Sequence, residues 1–288
     1  MDIDRATGIG AQRSGTAGVG LLILAAALAA NSLLGPLAAG VIRYRFSETL
    51  LRQGIGLDLV SLVVAAPLLA WAGILALRGR SGAPVLALGP AAYVAYMAIQ
   101  YAIGPGYLEL PGNNERFYVL HLFLFGLGLA LAAWAWGAIA PERLGPSTRR
   151  AERRWSLVLL VIAALVVLRY LPGLVDLAAG GAGPPAFRQN PTSWLLIATM
   201  DLGIAVPATV AASVGLLRGA PRARAALHGV VAWFALVGLA VAAMAAVMLV
   251  RDDPAASAAG TAAFAAFAAG FLALAARLYR PILAGEAP

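Results

Sequence analysis

The chain has 288 residues, of which 61% are hydrophobic and 12% charged, and it carries a formal net charge of +8. So little polar surface cannot coat a soluble globule, and the composition predicts a polytopic membrane protein. Every basic residue is an arginine, cysteine is absent, and the two histidines, His121 and His228, lie far apart; this excludes disulfides, thiolate metal sites, cysteine nucleophiles and a lysine Schiff base, and makes bis-histidine haem a poor fit.

Residues 1–15 (MDIDRATGIGAQRSG) are polar and read as a cytoplasmic tail. Arg5 and Arg13, the apolar stretch behind them and Ala27-Leu28-Ala29 imitate a cleavable leader, but the apolar run continues to Ile42 and is read as a span. Apolar segments of about twenty residues then fall at 17–42, 54–77, 83–104, 117–139, 155–177, 193–217, 225–250 and 257–279. The expected fold is all-α, a polytopic membrane helix bundle of eight transmembrane helices. With that topology fourteen arginines lie on the side of the termini, six lie opposite, and Arg169 lies within a span. The bias places both termini in the cytoplasm and makes the surplus arginine a matter of orientation and anionic headgroups, with no nucleic-acid partner.

The stretch LDLVSLVVAAPLLAWAGILALRG at 57–79 is echoed by MDLGIAVPATVAASVGLLRG at 200–219. From Pro67 the two run without a gap at an offset of 140: Pro67 answers Pro207, Arg78-Gly79 answers Arg218-Gly219, Gly89 answers Gly229 and Tyr93 answers Trp233. Upstream, Arg43-Tyr44 resembles Arg169-Tyr170, Arg52-Gln53 resembles Arg188-Gln189, and Asp58 resembles Asp201. This predicts two four-helix repeats of the same orientation, 16–139 and 155–280, with a cytoplasmic linker at 140–154 and a tail at 281–288. An axis along the membrane normal would relate them, with function at their interface.

Charges inside spans are costly, so they normally face the protein interior and have partners. Here they gather toward the outer ends. Asp58 falls about 6 Å and Asp201 about 12 Å in from the outer side, with Arg43 and Arg169 near the ends of their spans. The expected arrangement is two ion pairs, Arg43 with Asp58 and Arg169 with Asp201. They act either as staples between helices or as the lining of an outward pocket where arginine holds an anionic group and aspartate exchanges a proton. Tyr93, Tyr96, Gln100 and Tyr101 fall at helical spacing on one face, which suits a ligand wall or interhelical bonding. Pro67 and Pro207 each free a carbonyl near the midplane. His121 could serve as a general base or lone metal ligand, or as a packing residue. Segments 105–116 and 177–191 have the Gly, Pro and Asn content of turns and suit a rim or lid. Span eight presents Ala, Gly and Phe, a surface for close packing and a candidate contact for a protein partner or second copy. No nucleotide, metal or nucleophile motif occurs, so neither metal nor cofactor is expected.

The helix with Asp58-Leu59 and Pro67 followed by Arg78-Gly79, the tyrosine-rich third span, the segment Asn113 to Phe125, and Asp201-Leu202 with Pro207 together resemble a widespread group of bacterial eight-span integral membrane proteins with no known activity. The resemblance covers about two thirds of the chain and implies the bacterial plasma (inner) membrane. Where His121 stands, the group carries an aromatic, which implies that the histidine is not a required catalyst. Three functions remain open on the residues: binding or transport of a small polar or anionic solute or lipid, proton-linked, at Arg43, Asp58, Tyr93, Tyr96, Gln100, Tyr101, His121, Arg169, Tyr170 and Asp201; an enzyme acting on a lipid-linked or periplasmic substrate; or a non-catalytic subunit of a membrane complex. Membrane lipids are the one partner common to all three.

Overall fold

The computed structural model describes residues 2–144 and 147–283. Among the described residues every regular element is helical, as it must be where no water is available to bond a free N–H or C=O. Eight helices are long and apolar enough to cross a membrane: spans one to eight are Ser14–Leu34, Glu48–Leu77, Ala83–Ile103, Asn114–Ala138, Arg149–Ala178, Pro191–Arg218, Ala223–Val250 and Ala258–Ile282. The chain is therefore an all-α, multi-pass membrane protein.

Local chemistry sets the ends. Span one stops at Leu34, eight residues short of Ile42, because Gly35-Pro36 follows and proline can neither donate to the helix nor let its neighbour stay helical. At the other end its helix reaches back to Asp2, so the segment read as a tail continues the first helix. Span two starts at Glu48, with the Ser47 hydroxyl accepting from the Leu50 N–H. Thr148 and Asn190 cap spans five and six in the same way. Of the 140–154 linker, Pro141–Leu144 forms a 3-10 turn and Arg149 opens span five, while 145–146 lie outside the described residues.

Four features recur 140 residues apart. The α-helix widens to a π-helix at Ser61–Ala65 and at Asp201–Ala205, the N–H of Ala66 reaching the Ser61 carbonyl and that of Val206 the Asp201 carbonyl. Pro67 and Pro207 follow each widened turn. A wide turn beside a residue with no N–H leaves main-chain carbonyls short of donors within the helix. Spans two and six close on Gly79 and Gly219, both left-handed at φ 67° and 69°. Each ends in paired bonds, Arg80 N–H to the Leu75 carbonyl with Gly79 to Ala76, and Ala220 to Gly215 with Gly219 to Leu216. Spans three and seven cross where Gly89 lies against Ala232 and Gly229 against Leu88.

Spans one to four pack around the main core, which draws in Leu236 and Ala240 of span seven. Gly18 and Gly73 bring spans one and two together, a Cβ on either falling 2.9 Å from the other's carbonyl oxygen. Spans five, six and seven with Phe271 make a second, smaller core. The seams between these two groups are unequal. Spans two and seven meet tightly, since a Cβ on Gly56 would fall 2.5 Å from the Met244 nitrogen. Spans three and six touch where span three ends and span six begins, Ser193 Oγ donating to the Gly104 carbonyl at 2.7 Å, and then diverge. Span eight packs chiefly on span seven and turns Phe264, Phe267 and Leu272 outward.

Candidate functional site

Asp58 and Asp201 each stand ten residues after the first residue of their span, Glu48 and Pro191, which is about 15 Å along a helix. Asp58 lies deeper than the sequence suggests because span two begins six residues earlier than its apolar run. Neither expected ion pair forms. Among the described residues the ion pairs are Arg45–Glu115, Arg52–Glu48, Arg52–Asp253 and Arg149–Glu152. Arg43 sits in the loop beyond span one, and its side chain is exposed. Arg169 is exposed on span five, its guanidinium 5.3 Å from the Tyr170 ring centroid. Side-chain direction explains both: each arginine turns outward while its neighbouring tyrosine turns in. The partners of the carboxylates are phenols.

Tyr101 donates to Asp58 Oδ1 at 3.1 Å. Tyr96 and Tyr170 donate to Asp201 Oδ1 and Oδ2 at 2.7 and 2.6 Å, the short range typical of O–H bonds to a carboxylate. Tyr93 and the Ser61 hydroxyl are 3.2 Å apart. The expected single face of span three is thus divided. Tyr96 and Tyr101, five residues apart, point about 140° apart at the helical turn of 100° per residue. One serves the carboxylate of span six and the other that of span two. Gln100 joins neither, bonding the Tyr96 carbonyl and Met97 sulfur of its own helix.

Around Asp58 a closed polar cluster forms that the sequence reading only half assembled. Tyr44 stacks on Tyr101 with centroids 4.5 Å apart, and Asn31 Nδ2 donates to the Tyr44 hydroxyl at 3.2 Å. The His121 ring lies 5.5 Å from Tyr101 and 6.3 Å from Tyr44. Burial, and after it the Asp58 carboxylate, push the Tyr44 phenol well above its ordinary value. Ser32 stands beside the carboxylate without hydrogen-bonding geometry. Gly35 covers it: a Cβ there would lie 2.8 Å from Asp58 Oδ2 and 3.2 Å from the Tyr44 hydroxyl. Six buried side-chain polar atoms have no hydrogen-bond partner among the described residues. Five belong to this cluster: Asn31 Oδ1, Ser32 Oγ, Asp58 Oδ2 and both nitrogens of His121. Asn31, Ser32 and Tyr44 could have been found as the polar break at the end of an apolar run, answered by the Tyr of each Arg-Tyr pair.

Two loops, 35–47 and 105–116, close over the cluster. Asn113 accepts from the Arg43 N–H at 2.7 Å and donates to the Val41 carbonyl at 3.0 Å. Asn114 Oδ1 accepts from the Arg45 N–H, and its Nδ2 donates to the Tyr101 carbonyl at 3.4 Å. Arg45 also makes a two-pronged contact with Glu115 at 2.9 and 3.0 Å. The loop of 105–116 is therefore a strap tied to the loop of 35–47.

Beside Asp201 lies a different space. The divergence of spans three and six leaves a crevice of about 660 Å³, bounded also by spans four and seven. Tyr96 and Met200 lie in its wall toward the end where Asp201 stands. Arg222 lies in it near the other, bonded to the Trp136 carbonyl at 2.9 Å. The wall between is Ala, Leu, Ile, Phe and Trp.

Comparison of the chain with protein families, with curated proteins and with solved structures found no match in any of the three. The functional argument therefore rests on the site itself.

Proposed function

We propose that the protein is a plasma-membrane carrier or binding protein for a small polar solute, taken at the Asp58 cluster from the outer side and linked to a proton on Asp58. The observation that carries this is that, among the described residues, five of the six unpartnered buried polar atoms belong to Asp58 and the side chains clustered about Tyr44 and Tyr101 beside it. Each such atom costs about 1–3 kcal/mol when left unsatisfied, so chance placement of five together is costly. Their inventory points to the ligand. Asp58 Oδ2 and Asn31 Oδ1 only accept, Ser32 Oγ does either, and a neutral imidazole offers one donor and one acceptor. Acceptors outnumber donors, so the cluster calls for a molecule rich in N–H or O–H groups. A proton on Oδ2 would itself turn an acceptor into a donor, so proton and solute compete for the same oxygen. Exposed Arg43 and Arg169 do not meet the carboxylates, which favours a neutral or cationic solute over an anion.

The arginine distribution supports cytoplasmic termini, which makes the strapped face the outer one. The landmarks repeated at 140 residues support descent from a duplicated four-span unit. An enzymatic role is the weaker reading, because both His121 nitrogens are unpartnered and no carboxylate orients the ring as a general base requires. A lipid ligand is favoured by one specific observation, the apolar crevice with Tyr96, the partner of Asp201, in its wall.

Native mass spectrometry of gently solubilised protein tests the proposal. A co-purifying solute should be lost in Asp58→Asn and His121→Phe and kept in Asp201→Asn, and its rebinding to purified protein should release protons into weakly buffered solution. The same set of bound molecules in all variants would sink the reading. Loss confined to Asp201→Asn would move the site to the crevice.

A further inference from the structure

At the end of the bundle where both termini lie, a second cavity of about 400 Å³ opens between the end of span two, the start of span three, the end of span four and span eight. Trp71, Arg80, Trp134, Arg143 and Tyr279 lie in its wall. Neither the Arg80 nor the Arg143 side chain has a hydrogen bond or ion pair with any described residue. Arg222, at the same end, is held by the Trp136 carbonyl. Tyr279 fixes the far wall by donating to the Val85 and His228 carbonyls at 3.2 and 3.0 Å. Span three begins in the wall at Ala83 with no side chain capping its first turn, so the positive end of a 21-residue helix adds to the two guanidinium charges.

Both arginine side chains are exposed at this recess and free of partners among the described residues, and their planar donors match phosphate oxygens. Indole rings are enriched at headgroup level, where they separate the polar recess from the acyl region. Basic recesses between spans on the cytoplasmic side are where anionic headgroups dock. We propose that this cavity binds a phosphate group through Arg80 and Arg143, the group belonging either to an anionic phospholipid or to free phosphate. This site is independent of the Asp58 cluster and of the function proposed for it.

The test is thermal unfolding of the full chain in neutral detergent, titrated separately with phosphatidylglycerol, with phosphatidylcholine of the same acyl chains, and with inorganic phosphate. It is run on the wild type, on Arg80→Gln with Arg143→Gln, and on Arg78→Gln with Arg218→Gln, which removes the same charge outside the cavity. Phosphatidylglycerol should raise the midpoint of the wild type and of the charge control. The apparent affinity should fall at least about tenfold in the cavity variant, one decade being a small part of two charge-assisted contacts. A shift by phosphatidylglycerol alone assigns the lipid, and an equal shift by inorganic phosphate assigns the free anion. The same phosphatidylglycerol affinity in the cavity variant as in the charge control, or no response from any variant, overturns the proposal.

Discussion

Tyr96 and Tyr170 give the sharpest measure of whether phenols hold the intramembrane carboxylates. Both donate to Asp201, at 2.7 and 2.6 Å, and Asp201 and Tyr170 are buried. A hydrogen bond to a charged group is worth about 1.5–3 kcal/mol in water-soluble proteins, but polar contacts between membrane helices average about 0.6 and reach about 1.7 kcal/mol because the unfolded chain also finds partners in the bilayer. The short distances place these two bonds near the upper membrane value, so Tyr170→Phe and Tyr96→Phe should each cost about 1–2 kcal/mol. Removing both leaves the carboxylate with no donor, and the double variant should exceed the sum of the singles by about 1 kcal/mol. On an Asp201→Asn background the charge is gone, and each phenylalanine substitution should cost less than about 1 kcal/mol. Reversible unfolding in mixed micelles, with the transition followed by two probes, measures all the combinations. Equal costs of Tyr170→Phe on the two backgrounds would refute the reasoning, because the hydroxyl would then be acting on packing and not on charge.

Other positions separate the same physical terms. Gly35→Ala places a Cβ 2.8 Å from Asp58 Oδ2; we expect a loss of about 1–3 kcal/mol from overpacking together with loss of the co-purifying solute, whereas Gly54→Ala, with open space around it, should leave both unchanged. Gly56→Ala drives a methyl into the Met244 main chain and should destabilise by ~3 kcal/mol; Gly126→Ala, facing open space, should be neutral or gain up to about 1 kcal/mol from helix propensity, both read in the same unfolding assay. Asn114→Ala removes a buried bond holding the strap and should speed hydrogen exchange across 35–47 and 105–116. Glu115→Gln acts on an exposed pair, so its small effect should vanish in high salt.

The eight spans were legible because composition and run length respond to the bilayer alone. Their ends were less so: Gly35-Pro36 cuts span one short inside an apolar run, and Glu48 to Gly54 lengthen span two through residues too polar to register as membrane. The depth of the carboxylates followed that error. The site was legible in its residue types but not in its pairing. Opposite charges are the obvious partners on paper, yet Arg43 and Arg169 can turn their long side chains outward, whereas the adjacent Tyr44 and Tyr170 bury more favourably and bring a hydroxyl to the interior. The division of the tyrosine face escaped notice because positions 0, 3, 7 and 8 of a helix cover an arc wide enough to meet two neighbours. Spans two and six pass on either side of span three, and only a three-dimensional packing reveals this.

That packing makes span three the shared element. Its tyrosines reach Asp58 through Tyr101 and Asp201 through Tyr96, while Gly89 sets its crossing with span seven. The seam of spans two and seven is shut by Gly56; the residue 140 positions later is Leu196, which lines the crevice between spans six and three. One seam is thus closed and the other parted, and a backbone approach like that at Gly56 cannot form over the four-carbon side chain of a leucine. Shutting the crevice would require span three to roll toward span six about its contact at Gly89. Because Tyr96 and Tyr101 are rigid on that helix, the same roll would change the Tyr101–Asp58 bond. If span three moves as one body, filling the crevice changes the hydrogen bonding of the Asp58 cluster. A bulky side chain filling the crevice, Ala92→Phe, should shift solute affinity at Asp58 while touching none of its groups; an affinity equal to that of the wild type would mean that the two regions move independently.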